Sequence, residues 1–557
     1  MKSGRDSYLQ FFRYYHTLKN MKLSQIFNYI SFNHRRKKLS IIDNRGVLTF
    51  AEGLKQNYKL ENEQKSLEFC FFNQPVCFNL DEMSWEPLTI SSEVEKIWIE
   101  KLHSFDWLNE KDKTAVTLKQ ASFLILDWLS KFINEHSKAW EPFTLSKRIN
   151  SWVKWLNNNE VQPEIISLMK LSIRLQLKRL FVDFEYHKPA NHLIENFRGF
   201  LAGCTYLITS RQYFNNELEY QLEQVLDECL KQLNIQILKD GGHFERSPMY
   251  HVFMLTAIKD IKAISATISK QGFLLPEILE KANSLIKVCE EKIDIMSKWL
   301  EQMTMPDGDI AQFNDSARIK GLKQNELETS EFLEPSGFFV KHNPVYSFIL
   351  SCGSPSPAFL PEHCHCDIMS YELSLKGTRI IIDSGSSGYD NETLRQMSRE
   401  TEAHNLPMVE HQEQSDIWGQ FNFGKRARIS TKEYNKESDK LEISIEDQYN
   451  QKIERIVIFS QNSIEITDHL KKRRMQGCFI SLIHLAPNIE TELISEEDKP
   501  NIINCKMTNG TKFSIITKAN IRISDYISFP DFGKSIGAKL LILSNKEAEE
   551  LNYVIKW

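Results

Sequence analysis

The stretch Lys440-Leu-Glu-Ile-Ser-Ile445 alternates polar and apolar residues with a period of two. Successive side chains of a β-strand point to opposite faces, so this alternation predicts a strand with one buried face. Segments of the same kind recur at Val345–Leu350, Ser370–Leu375, Thr378–Asp383, Lys452–Ile458, Ser463–Ile466, Cys478–Ile483, Lys512–Ile516 and Lys539–Leu543. Many short strands with turns between them predict an antiparallel β-sandwich.

Before about residue 335 the apolar residues follow the spacing of a helix instead. Long amphipathic segments occur at Glu93–His103, Pro163–Phe184, Glu217–Leu238 and Leu275–Leu300, which predicts packed α-helices. The first 90 residues mix helix with short strand-like pieces, such as Leu39–Asp43 and Phe69–Asn73. We therefore predict a multidomain α and β chain with a mixed extension over 1–90, a helical domain over 91–335 and a β-sandwich over 336–557.

Composition narrows the classes of function. The chain has 557 residues and a net charge of −5, with 69 basic and 74 acidic residues well mixed along it. This balance argues against a general nucleic-acid binder but leaves room for a local basic surface that meets an acidic ligand. No apolar run approaches the ~18 residues of a membrane span, and the first residues lack the apolar region of a signal peptide. We expect a cytoplasmic protein, with export by another route left open. The sequence gives no indication of the oligomeric state.

Two polar clusters lie in the helical part. In the first, Asn191 and His192 open an apolar run. They either cap a helix or, through the Asn191 amide, bind a substrate carboxylate. The second is Asp240-Gly-Gly-His-Phe-Glu-Arg-Ser-Pro-Met-Tyr-His251, in which Glu245 and Arg246 lie close to Tyr250 in sequence. A tyrosine serves as acid or base if its neighbours lower its pKa. The alternative is a packing residue.

The third cluster is His363-Cys-His-Cys-Asp367, followed by Asp383 and His404. On an extended backbone His363 and His365 face the same way, so one can bind a metal while the other transfers protons. Two histidines and a carboxylate suit zinc. The alternatives are a hydrogen-bonded polar cluster at a sheet edge and metal binding by Cys364 and Cys366.

Together these motifs resemble the heparinase II/III-like family of polysaccharide lyases. The resemblance rests on the order of Lys101–Leu108, Ser146–Val153, Asn191–Asn196, Asp240–His251, Phe313–Ser316, the His-x-His-x-Asp run and Ala403–Asn405. It implies an incomplete (α/α) toroid followed by an antiparallel β-sandwich, with the active site between them. It also implies β-elimination on a uronic-acid-containing polysaccharide: a base removes the C5 proton, and the 4-linked oxygen leaves with a proton from an acid.

The resemblance implies a role for each matching residue. Asn191 matches the position that neutralises the uronate carboxylate, and His192 and Arg246 are possible assisting residues. Tyr250 matches the general acid, which for some uronates is also the base, and His363 matches the catalytic histidine. Another three residues match the positions of a structural zinc, which would support the loop that carries His363; they are His365, Asp383 and His404.

Two departures from the family pattern bear on the role of the chain. Cys364 and Cys366 stand where small residues are common, and no export signal is evident, although lyases of extracellular glycans usually carry one. Relatives without an export signal resemble proteins encoded with bacterial surface-polysaccharide assembly. Besides a lyase acting on an acidic polysaccharide, the sequence therefore leaves open a hydrolase or processing factor in capsule or O-antigen synthesis, and a non-catalytic glycan-binding protein.

Overall fold

The computed structural model describes residues 2–38, 45–58, 60, 63–86, 95–110, 116–131, 137–211, 213–319, 328–545 and 548–557. The helices are α1 Lys2–Leu18, α2 Leu23–Lys38, α3 Arg45–Asn57, α4 Glu95–Ser104, α5 Leu118–Lys131, α6 Pro142–Asn158, α7 Pro163–Asp183, α8 Asn191–Ser210, α9 Asn216–Gln236, α10 Pro248–Ile268, α11 Pro276–Gln302 and α12 Glu392–Arg399. The four long helices predicted from periodicity are thus confirmed as α4, α7, α9 and α11. Within the described ranges, no helix is both long enough and apolar enough to cross a membrane.

The strands lie mainly in the C-terminal half. They are β1 Ser66–Phe71, β2 Gln74–Asn79, β3 Thr329–Leu333, β4 Phe338–His342, β5 Tyr346–Ser351, β6 Tyr371–Leu375, β7 Thr378–Ile381, β8 Pro407–Val409, β9 Ile417–Trp418, β10 Asn422–Phe423, β11 Arg428–Asn435, β12 Lys440–Glu446, β13 Lys452–Phe459, β14 Ser463–Lys472, β15 Phe479–His484, β16 Ile489–Ile494, β17 Asn501–Met507, β18 Lys512–Thr517, β19 Asn520–Asp531, β20 Lys534–Asn545 and β21 Glu550–Lys556. Each of the nine strands predicted after residue 335 is confirmed. Of the two early strand-like pieces, Phe69–Asn73 overlaps β1, and Leu39–Asp43 lies outside the described residues.

The described residues form two compact units. The first comprises residues 1–21, 238–252 and 295–557, and the second comprises residues 22–237 and 253–294. These units are defined by contacts and not by independent folding, so the boundaries predicted at residues 90 and 335 stay predictions.

The first unit is built on antiparallel sheets. Their strand orders are β11-β12-β13-β14-β21-β18-β17-β16, β19-β20-β15-β8 and β3-β4-β5-β6-β7, beside a small β10-β9 pair. Apolar side chains from all three larger sheets share one buried cluster, which includes Phe348, Ile443 and Leu541. A buried ion pair lies on neighbouring strands at the edge of this core: Arg455 donates to both oxygens of Asp468 at 2.7 and 2.8 Å. The same guanidinium also donates to the carbonyls of Met369 and Asn405, so the pair joins strands to loops.

The second unit is helical and carries the β1-β2 hairpin. Helices α6 and α8 approach closely at Gly199, where a Cβ atom would lie 2.5 Å from the carbonyl oxygen of Ser146. Next to this crossing, buried Arg148 stacks on Trp128 and donates to the carbonyl of Ala139 at 2.7 Å. Burial without a carboxylate partner lowers the pKa of Arg148 to about 9. This helical scaffold fixes the start of α8, where Asn191 lies.

The backbone around the paired histidines is not extended. Residues 352–370 form a loop between β5 and β6, so the extended backbone considered for His363 and His365 is not present. The two side chains nevertheless converge, because both meet a third residue that lies far away in sequence.

Candidate functional site

The centre of the first unit's polar cluster is the buried carboxylate of Asp315. His363 Nδ1 lies 2.9 Å from its Oδ2, and His365 Nε2 lies 2.9 Å from its Oδ1. Arg395 forms a bidentate ion pair with the same carboxylate, with Nη2 2.8 Å from Oδ2, and the Ser386 hydroxyl donates to Oδ1 at 3.1 Å. One anion therefore fixes the orientation of both histidines.

Backbone contacts hold Asp315 in this position. The Asp315 amide donates to the His363 carbonyl at 3.1 Å, and the Ser247 hydroxyl donates to the Asp315 carbonyl at 2.6 Å. Asn314, at φ +58°, donates through its side chain to the carbonyl of Arg246 and accepts from the amide of His365. Three segments distant in sequence are thus joined into one rigid arrangement.

The ring of Tyr250 lies against the catalytic candidate His363. The two rings stack with their centroids 3.9 Å apart and their planes at 26°. The Tyr250 hydroxyl lies 2.8 Å from the hydroxyl of Tyr389, and the Arg395 guanidinium covers the ring of Tyr389 at 5.1 Å. On the His363 side, Glu245 Oε1 lies 4.0 Å from His363 Nε2. A phenol and an oriented imidazole, the two groups that an acid–base reaction needs, are therefore in direct contact.

The electrostatics of the site set the protonation of these groups. Burial, reinforced by the charge of Asp315, raises the pKa of Tyr250 above its ordinary value, although the hydrogen bond from Tyr389 opposes the shift. Burial also acts against the charged form of His363, but its bond to Asp315 and the charge of Glu245 outweigh it and raise the pKa of His363. The neighbours thus do not lower the pKa of Tyr250, which is a neutral phenol in the free protein and suits the role of a proton donor.

Arg246, a possible assisting residue, has its guanidinium occupied by the protein. It donates to the carbonyls of Ser336, Gly353, Ser354 and Gly337 at 2.5 to 3.0 Å. A Cβ at Gly353 would lie 2.7 Å from Cζ of Arg246, so the glycine makes room for this contact. The geometry favours a structural role for Arg246.

In the second unit, Asn191 is the first residue of α8 and is buried. The residue at the N-cap is Ala190, which makes no side-chain capping bond, so Asn191 lies one position inside the helix and not at the N-cap. His192 Nδ1 lies 3.0 Å from Glu185 Oε1, and the His192 ring stacks on Phe143 at 4.4 Å. Burial opposes the charge of Glu185, but His192 outweighs it and lowers the pKa of Glu185 to about 2. An anionic Glu185 thus orients His192 directly after Asn191.

The three residues expected to bind zinc are neighbours in space, but they do not all point towards one centre. His404 Nδ1 lies 2.8 Å from Asp383 Oδ2, and the rings of His365 and His404 lie 5.4 Å apart. Each of the two histidines has a carboxylate on one nitrogen, while the buried His365 Nδ1 and His404 Nε2 have no hydrogen-bond partner. This is the donor pattern of zinc ligands supported by outer carboxylates. Asp383 holds His404, however, and over the described residues no three acidic, histidine or cysteine side chains gather closely enough to bind a metal.

Cys364 and Cys366 face away from this cluster. They pack with Ile417 and Phe423, and burial raises the pKa of both thiols. Cys364 Sγ donates to the Ser356 carbonyl at 3.1 Å. Buried, protonated thiols among apolar residues are packing groups, so the structure does not favour them as soft metal ligands.

Comparison with known proteins identifies the family. A family model described as the heparinase II/III N-terminus matches residues 8–333, and one described as heparinase II/III-like, C-terminal matches residues 325–556. The chain belongs to the heparinase II/III-like family. FtsZ-localized protein C of Caulobacter vibrioides is 24% identical over 311 residues, which are 51% of this chain and 48% of that protein. The chain thus spans about half the length of this curated relative.

Solved structures of heparinases share the fold. A crystal structure of heparinase III matches with a TM-score of 0.65 at 16% identity, over 93% of this chain and 86% of the other. A heparan sulfate lyase, HepC from Pedobacter heparinus, matches with a TM-score of 0.55 at 14% identity, over 93% of this chain and 83% of the other. The predicted fold class, an N-terminal incomplete (α/α) toroid followed by an antiparallel β-sandwich, is confirmed.

Four charged or phenolic residues of the cluster were not among the predicted site residues; they are Glu245, Asp315, Tyr389 and Arg395. Glu245 and Asp315 lie inside motifs that carried the family resemblance, so the sequence drew attention to these motifs but did not assign a function to either residue. Tyr389 and Arg395 lie in the stretch between β7 and the end of α12, which has no pattern of its own. Only their contacts in space reveal them.

Proposed function

We propose that the protein is a polysaccharide lyase that cleaves a uronic-acid-containing glycan by β-elimination. Family membership supports a lyase in general, and one observation carries the specific reaction. The Tyr250 phenol and the His363 imidazole are in contact, and a buried carboxylate orients the histidine.

The two groups divide the proton transfers of the elimination. His363 removes the proton from C5 of the uronate through Nε2, because Nδ1 is held by Asp315. It acts in its neutral form, whose population grows as the pH rises above the raised pKa of His363. The electrons of the C5–H bond form the C4=C5 double bond, and the C4–O bond breaks. Tyr250, neutral because burial raises its pKa, gives its proton to the departing oxygen. The products are a 4,5-unsaturated uronate and a free hydroxyl on the other sugar.

Tyr389 supports the tyrosinate that this step leaves behind. Its hydroxyl lies 2.8 Å from that of Tyr250, and its own pKa is raised well above the ordinary value by burial and by the Asp315 charge. Tyr389 therefore stays protonated and donates to the Tyr250 oxyanion, and charge-assisted hydrogen bonds of this kind are the stronger ones. Arg395, over the ring of Tyr389, also favours the tyrosinate and offsets part of the opposing charge of Asp315.

The uronate carboxylate needs a hydrogen-bond donor, because its negative charge makes the C5 proton poorly acidic. Asn191 keeps this role in the proposal, as the family resemblance implies, and an anionic Glu185 holds His192 beside it. Asn191→Ala should lower kcat more than it raises KM if the amide acts mainly on the transition state.

The test is a search for the unsaturated product. Purified protein is incubated with a panel of uronic-acid polysaccharides, including the host's own surface glycan, while the near-ultraviolet absorbance of the unsaturated uronate is recorded. We expect a rise with at least one glycan that is lost in Tyr250→Phe and in His363→Ala. Matched variants outside the site, Tyr371→Phe and His411→Ala, should retain it.

Three other outcomes would contradict the proposal in different ways. Cleavage that yields products without the 4,5-double bond would favour a hydrolase or processing factor. Glycan binding that survives both site substitutions, with no cleavage, would favour a binding protein. A rise that persists in Tyr250→Phe would keep elimination but remove Tyr250 from the chemistry.

We also propose a structural zinc held by His365 Nδ1 and His404 Nε2, with Asp383 as a ligand or as the carboxylate behind His404. The zinc would fix the loop that carries His363. Protein purified without chelator should contain about one zinc per chain, the stoichiometry of a single structural site. His404→Gln should abolish zinc binding and lower the unfolding temperature, whereas His411→Gln, an exposed histidine, should change neither. Metal-free protein with an unchanged unfolding temperature would refute the site.

A further inference from the structure

Helix α2 has an apolar stripe on its outer face. Leu23, Phe27 and Ile30 recur at the spacing of one helical face, and their side chains are 85%, 71% and 64% exposed. Three large apolar side chains on one face cost free energy in water unless something covers them.

The opposite face of α2 packs on the rest of the second unit, to which the helix belongs. Phe32 is buried with its ring 4.4 Å from that of His187, and Asn28 donates to the carbonyl of Tyr186 at 3.3 Å. The helix is therefore anchored on one side while the stripe points outward. In the described part of the chain, no side-chain hydrogen bond or ring contact involves the three stripe residues.

The sequence that carries the stripe has charged residues of a single sign. The last turn of α2 consists of Arg35, Arg36, Lys37 and Lys38. From Lys22 to Ile42 the sequence has five basic residues and no acidic one, in a chain whose net charge is −5. An apolar stripe next to a basic run is the pattern of a helix that lies in the plane of an anionic membrane surface.

We propose that α2 docks on an anionic lipid surface, with Leu23, Phe27 and Ile30 inserted among the lipids and the basic run at the headgroups. A second copy of the chain fits less well, because stripe against stripe would bring two basic runs together. A nucleic acid would satisfy the charge but would leave the stripe exposed. This surface is independent of the proposed lyase chemistry, so either proposal can fail alone.

The test is co-sedimentation of the full-length protein with vesicles. Protein is mixed with vesicles of phosphatidylcholine alone or of phosphatidylcholine with phosphatidylglycerol. We expect binding to the anionic vesicles to be at least about tenfold stronger and to weaken as salt is raised.

Three variants separate the contributions. The triple variant L23Q/F27Q/I30Q removes the stripe, and a charge variant replaces Arg35, Arg36, Lys37 and Lys38 with glutamine. Both should bind anionic vesicles at least about tenfold more weakly. The control Y220Q/I235Q/L275Q, which removes apolar residues exposed elsewhere in the same unit, should bind like the original protein. Lyase activity on soluble glycan should be unchanged in all three.

Circular dichroism and thermal unfolding show whether each variant is folded, and the charge variant remains informative if the stripe variant is not. The proposal is overturned if the original protein does not sediment with anionic vesicles, if it sediments equally with neutral ones, or if a folded L23Q/F27Q/I30Q binds normally. A dimer that depends on the stripe, seen by light scattering without vesicle binding, would assign the face to a second copy instead.

Discussion

At the scale of single residues, the proposed chemistry depends on what surrounds Tyr250. Tyr389→Phe removes one hydroxyl and leaves the ring under Arg395. Because the lost hydrogen bond stabilises a developing oxyanion, we expect kcat to fall by about 10- to 100-fold with little change in KM.

The control for Tyr389 is a second tyrosine pair, which is buried. Tyr371 and Tyr553 have their hydroxyls 3.2 Å apart in the first unit, outside the cluster. Tyr371→Phe makes the same chemical change and should leave kcat unaltered. Equal losses in both variants would mean that the effect of Tyr389 is structural.

Asp315→Asn tests the carboxylate that holds both histidines. The variant keeps an acceptor oxygen but leaves Arg395 buried without its anion, so the free energy of unfolding should fall by about 3–5 kcal/mol. We expect kcat to fall by about a hundredfold or more, because His363 loses the carboxylate that orients it.

A matched substitution separates the two effects of Asp315→Asn. Asp468 is also a buried partner of an arginine, Arg455, but it lies outside the site. Asp468→Asn should cost a similar free energy of unfolding, measured by urea denaturation, and leave kcat per folded molecule unchanged. If it abolishes turnover as well, the role assigned to Asp315 is not specific.

At the scale of secondary structure elements, two glycines in helices have opposite roles. Gly199 lies where α8 meets α6, and a methyl group there would overlap the Ser146 carbonyl. Gly199→Ala should therefore destabilise the protein by about 1–3 kcal/mol or more through overpacking.

Gly53, in α3, serves as its control because no atom outside the helix's own nearby backbone lies within 4 Å of a Cβ built there. Gly53→Ala should stabilise the protein by about 0.5–1 kcal/mol through helix propensity alone. Urea midpoints measure both changes, and a neutral Gly199→Ala would show that the two helices can separate at no cost.

The elements themselves were largely predictable from sequence, whereas the site was predictable only in part. Period-two alternation located β12 and β13, and helical spacing located α7 and α9, because these patterns record which face is buried. The loop of His363 has no such pattern. Its contact with Asp315 spans 48 positions, and the contact between Arg395 and Asp315 spans 80. Contacts of that range come from the tertiary fold, which local spacing does not encode.

At the scale of the whole molecule, the predicted boundary at residue 335 can be tested by expressing residues 336–557 alone. This fragment lacks β3, which leaves β4 as an open edge. It also lacks Trp299, Met303 and Phe313, which pack against Phe338, Val340 and Ile349.

We expect the fragment to be insoluble or to unfold without a cooperative transition, while the full chain is soluble under the same conditions. Thermal unfolding monitored by circular dichroism measures this difference. A soluble fragment with a sharp transition would establish residues 336–557 as an autonomous domain.

The chain enters the first unit three times, at residues 1–21, 238–252 and 295–557, and this has a consequence for how such a protein can evolve. A single recombination crossover at residue 335 would take Tyr250 and Asp315 from one parent and His363, Tyr389 and Arg395 from the other. Each parent would have to supply half of a set of contacts that must fit to within a fraction of an ångström. Hybrid genes should therefore survive only between close homologues, and the reactive residues should be inherited together as a single block.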